Sequence, residues 1–126
     1  MIDAGAVTSA IVRVAEESLF TWAEPAAVEP AEWPGGPWWH AAVAFTGPIA
    51  GRMDVALPEG LARDLFSSFA GVEPGAEIPA DALGDFVGEF ANMSCGTWLT
   101  SLARSRRQDT GQGFANKRPV GRSHCR

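Results

Sequence analysis

Three side chains on one stretch of the chain are placed to do chemistry together: Asp85, Glu89 and Asn92. The two carboxylates accept hydrogen bonds or a cation, and the carboxamide both accepts and donates. They lie in Asp81 to Ala103, DALGDFVGEFANMSCGTWLTSLA, where Leu83, Phe86, Val87, Phe90, Ser94 and Trp98 recur every three or four positions. That recurrence is the period of an amphipathic helix. With Asp85 at zero and a helical step of 100°, Glu89 falls at about 40°, Asn92 at about −20° and Gly96 at about 20°. Phe86, Phe90, Ser94 and Trp98 fall between about 100° and about 220° on the same wheel. The spacing predicts a narrow polar stripe of Asp85, Glu89, Asn92 and Gly96, with Phe90 and Trp98 on the core side.

Local preference works against this helix at several points. Asn92 is a poor interior helix residue because its amide competes for backbone groups. Gly84, Gly88 and Gly96 each cost roughly 1 kcal/mol relative to Ala. Gly88 lies at about −60°, beside the stripe, so the small residues leave room for another backbone or helix to approach. A merely hydrated helix face is the plainer reading of the acids alone. Asp81, Asp85 and Glu89 could also line up oxygen ligands for Mg²⁺, but three acids along one helix face are more often simply solvated.

The run Asp85-x-x-x-Glu89-x-x-Asn92 inside DALGDFVGEFANMSCGTW resembles the signature helix of the CheC/CheX/FliY chemotaxis phosphatases. The preceding VAFTGPIAGRMDVALPEGLARDLFSSFAG, Val43 to Gly71, is similar to that family's strand–glycine–strand–helix lead-in. The resemblance covers roughly residues 5 to 103. It implies removal of phosphate from the aspartyl-phosphate of a CheY-type response regulator. It also implies that Asn92 enters the regulator's active site and Glu89 pairs with the regulator's lysine. Asp85 takes the first motif position and, with Gly88 and Gly96, is assigned to docking. The regulator supplies its own Mg²⁺, so no cofactor is expected of this chain. The alternative function is a non-catalytic module that binds the regulator.

The whole chain bounds these readings. Its 126 residues suit one domain, and 46% hydrophobic with 20% charged residues is a globular composition. Residues 1–103 carry 14 acidic and 3 basic side chains, a net −11, whereas residues 104–126 carry +6. An acidic body argues against a nucleic-acid partner. No apolar run is long enough to span a membrane, and no basic region precedes the first apolar residues, so the cytoplasm is expected. Cys95 and Cys125 form no CxxC or His/Cys cluster, so no metal site is expected, and Cys95 reads as a small helix residue with a reduced thiol. Ser94 and Cys95 lack a nucleophile elbow, and the two histidines, His40 and His124, sit in a strand candidate and near the end. No Gly-rich phosphate loop precedes a helix.

The remaining elements follow in order. A first helix is predicted from Asp3 to Phe20, capped by Asp3, then a Pro- and Gly-rich connection up to Pro37. Trp38–Phe45 and Ile49–Leu57 read as a hairpin through Thr46-Gly47-Pro48, with Gly51 at a bulge or close approach. Adjacent Trp38 and Trp39 must point to opposite faces. A second helix opens at Pro58 with an apolar stripe of Leu61, Leu65, Phe66 and Phe69, and stops at Gly71. The fold class is α+β, long amphipathic helices packed on an antiparallel sheet, CheC-like. Residues 1–103 are read as the CheX-like domain, and a homodimer is a candidate assembly. Residues 104–126 show no alternating apolar run and read as a basic, polar, flexible tail. Because the resemblance implies further strands there, the domain is expected to be truncated or frame-shifted near Arg104.

Overall fold

The computed structural model describes residues 4–26, 29–47, 49–109 and 116–125, with 105–109 and 116–125 described as backbone. The described elements, in order, are α1 (Ala4–Ser18), a short 3-10 helix (Pro30–Glu32), β1 (Trp38–Thr46), β2 (Gly51–Pro58), α2 (Glu59–Ala70), α3 (Ala80–Asp109) and β3 (Asn116–Cys125). The strands form one antiparallel sheet in the order β2-β1-β3, so β1 is central. Helices α1 and α3 pack on each other, and α3 lies along β1 and β3, which gives the α+β architecture expected from the sequence.

The hairpin alternates as a half-buried sheet should. Trp39, Ala41, Val43 and Phe45 on β1 stand opposite Leu57, Val55, Met53 and Gly51 on β2, and this face is buried under the helices. Gly51 is required there, because a Cβ would lie 2.9 Å from Cζ of Phe45. The other face holds half-buried Trp38 and His40, with Arg52 and Asp54 exposed. The Trp38 indole donates to the Pro34 carbonyl at 3.1 Å, whereas the buried Trp39 indole donates to Glu59 at 3.2 Å. The two adjacent tryptophans therefore take opposite faces, as their alternation requires.

α2 begins after Pro58 and ends at Gly71, whose left-handed φ of 71° and N–H bond to the Ser67 carbonyl close the last turn. Its buried face is rotated from the expected stripe. Ala62 and Leu65 are buried and Phe66 is half-buried, while Leu61 and Phe69 are exposed. The Phe69 ring still lies 5.4 Å from that of Phe86.

The chain after Ala103 departs from the sequence prediction. α3 continues to Asp109, and Asn116–Cys125 pairs with β1 from Thr46↔Asn116 to Trp38↔Cys125. A bulge between Ala42 and Val43 absorbs Val120, next to Pro119, which has no N–H to give a ladder. A strand therefore stands where none is predicted. Its ladder is made by main-chain groups and needs no apolar alternation on the new strand. The capping expectation for Asp3 and the linking Pro48 fall outside the described residues.

Candidate functional site

The stripe is positioned by burying the rest of α3. Leu83, Phe86, Val87, Phe90 and Trp98 are all buried, each worth about 1.5–3 kcal/mol, which outweighs roughly 1 kcal/mol for each helical glycine. Phe86 packs edge-on against Phe66 at 5.8 Å, and Trp98 edge-on against Phe45 at 5.4 Å. Gly84 has a structural reason, since a Cβ there would lie 3.1 Å from the Trp39 ring. With that face fixed, Asp85 and Glu89 are exposed, and Asn92, Gly88 and Gly96 are half-buried.

Asn92 is less open than a free helix face would leave it. The stripe narrows toward its C-terminal end, where Cys95, Leu99 and Ala103 are all buried although they fall within about 90° of its centre. On its other side, α1 approaches. A groove of about 490 Å³ between α1 and α3 is lined by Arg13, Glu17, Ser18, Met93, Gly96 and Thr97, among others. Gly96 thus floors a groove to the chain's own α1, one turn beyond Asn92. The small residues of the stripe predict room for an approaching helix, but that α1 is the helix depends on how the two cross. A cleft of about 380 Å³ on the Phe90 side of α3 is mainly apolar, lined by Ile11, Trp22, Leu57, Leu61 and Leu65, and offers little polar chemistry.

The titratable cluster on the outer sheet face is separate from the stripe. Arg52 holds Asp54 with a shortest contact of 2.8 Å, and His40 approaches the same carboxylate at 2.9 Å. Hydrogen bonding from Arg52 keeps the Asp54 carboxyl below its ordinary value, with burial opposing and His40 adding to the effect. Among the described residues, no three His, Cys, Asp or Glu side chains are grouped to hold a metal ion. No helix among them is long and apolar enough to cross a membrane.

The family model of the chemotaxis phosphatase CheX matches residues 40–114, more than half of the chain. The chain belongs to the CheX family. The crystal structure of the chemotaxis protein CheX from Vibrio vulnificus superposes with a TM-score of 0.66 at 18% identity, covering 96% of this chain and 75% of that one. At that identity the superposition carries the fold. No curated protein is similar enough in sequence to match. The CheX match contains the whole of β2 and α2 and the Asp85–Glu89–Asn92 stripe, so the helix read from periodicity lies inside the family region.

Proposed function

We propose that this CheX-family chain hydrolyses the aspartyl-phosphate of a CheY-type response regulator in chemotaxis or related two-component signalling, in the cytoplasm. The observation that carries the reading is the side-by-side presentation of Glu89 and Asn92, one turn apart on a rigid helix within the family match. An acyl phosphate is already reactive, and the regulator brings its own Mg²⁺ and lysine. The phosphatase need only hold a water in line with phosphorus. The Asn92 carboxamide oxygen accepts a proton of that water in a hydrogen bond, while its NH₂ donates toward the phosphoryl oxygens. Water oxygen bonds to phosphorus, the bond from phosphorus to the carboxyl oxygen breaks, and the aspartate leaves as carboxylate. The water's proton passes to the phosphate product or to solvent. Glu89 pairs with the regulator's lysine, and Asp85 with Gly88 and Gly96 shapes the docking face.

The roles separate in kinetics. Asn92→Ala is expected to slow dephosphorylation at least tenfold, about 1.4 kcal/mol of barrier, with regulator binding largely kept. Glu89→Ala is expected to lower affinity and rate together. Dephosphorylation rate against chain concentration, with binding followed separately, measures both. An Asn92→Ala chain as fast as the parent would falsify the catalytic role. Regulator binding by the parent without faster phosphate release would instead identify a binding module.

A further inference from the structure

We infer that the regulator-docking surface spans two helices, with Arg13 of α1 as a specificity-determining cation at the Gly96 end of the α3 stripe. The inference rests on the phosphatase reading above and adds to it a residue outside the helix that carries the motif. The geometry comes from the groove that begins at Gly96, one turn past Asn92, and has Arg13 and Glu17 on its far wall. Arg13 also borders the adjoining hollow of about 250 Å³, with Ser9, Thr97 and Ser101. Among the described residues it is the one cation lining either space.

Charge supplies the reason for a cation there. A partner site that binds Mg²⁺ and carries an acyl phosphate is built from carboxylates and presents a negative rim. The α3 stripe brings Asp85 and Glu89 to that rim, and like charges across an interface oppose docking. One regulator lysine answers Glu89, which leaves an acidic excess. Arg52 is held by Asp54 on the outer sheet face, and Arg63 lies on α2 beside Glu59. Among the described residues, Arg13 is held by a 3.8 Å pair to Glu17 with both side chains more than half exposed, an interaction of little strength. Its guanidinium is therefore able to turn from Glu17 to a partner carboxylate, where two parallel hydrogen bonds form.

The test uses the full chain with a CheY-type regulator, in its phosphorylated form for rates and as its beryllofluoride adduct for binding. Arg13→Glu is expected to raise KM and Kd at least tenfold at low salt while kcat stays within twofold. Arg13→Lys should recover most of the affinity, and the gap between parent and Arg13→Glu should shrink at high salt. If Arg13→Glu alters the circular dichroism, Arg13→Ala carries the same comparison with a smaller KM effect. Unchanged KM and Kd in the variant that keeps its fold, or a loss confined to kcat, overturns the role of Arg13 and leaves the phosphatase reading standing. A parent chain that neither binds the regulator nor speeds phosphate release overturns both, and that result is visible before any variant is made.

Discussion

Ser94 shows what a single side chain can report about α3. It is fully buried between Phe90 and Trp98 in phase, and its Oγ has no hydrogen-bond partner among the described residues. A buried hydroxyl left unsatisfied costs about 1–3 kcal/mol, and Ala is also the better helix former. Ser94→Ala is therefore expected to raise stability by about 1 kcal/mol, read as a higher urea midpoint at unchanged slope. A loss of similar size would mean that the hydroxyl has a partner and helps hold the helix. The same residue-scale logic separates the stripe from its surroundings. Asp85 and Glu89 were legible as exposed from phase alone, because the apolar residues from Leu83 to Trp98, about four turns of α3, share one side. The half-burial of Asn92 was not, since it depends on what flanks the helix rather than on the helix itself.

At the scale of elements, the joint between α3 and the hairpin is set by Gly84. The Trp39 ring rests 3.1 Å from where a Cβ would stand, and the indole N–H is tied to Glu59 at 3.2 Å. That ring cannot slide without straining its own hydrogen bond. Gly84→Ala gains roughly 1 kcal/mol of helix preference but must push the ring, so the two effects nearly cancel. Gly84→Val adds branched bulk against the same ring and is expected to destabilise by about 1–3 kcal/mol. Urea unfolding with tryptophan fluorescence checks it, and an unperturbed Gly84→Val chain would remove this joint as a constraint. The hairpin, both of its bounding helices and the Gly51 contact were readable because each is specified by local turn chemistry, strict alternation or helical periodicity. α2 shows the limit of periodicity. Its sequence admits a stripe through Leu61 and Phe69, yet Ala62 and Leu65 are the buried residues, and Phe66 and Phe69 meet the Phe86 ring. β3 lay outside that reasoning altogether, because its place is given by the open edge of β1.

At the scale of the molecule, charge divides the chain in two. Residues 1–103 carry −11 and residues 104–126 carry +6, and the second part supplies β3 to a sheet backed by the first. Coulomb attraction between the two adds to the main-chain ladder of β3 on β1, in a strand whose composition offers little apolar area. The domain's radius of about 14 Å lies between the Debye lengths of about 30 Å at 0.01 M salt and about 8 Å at 0.15 M. Body and strand therefore feel one another fully at the lower salt and only at short range at the higher. Amide exchange across Asn116–Cys125 is expected to quicken severalfold between these conditions, with the core of α3 between Leu83 and Leu99 changing much less. Self-repulsion within the acidic body has the opposite dependence, so a uniform slowing of exchange with salt would mean that repulsion dominates and that β3 is held by its ladder alone. Mass-spectrometric exchange at both salt levels distinguishes the two, because the effect predicted for attraction is confined to β3 and the β1 amides that face it.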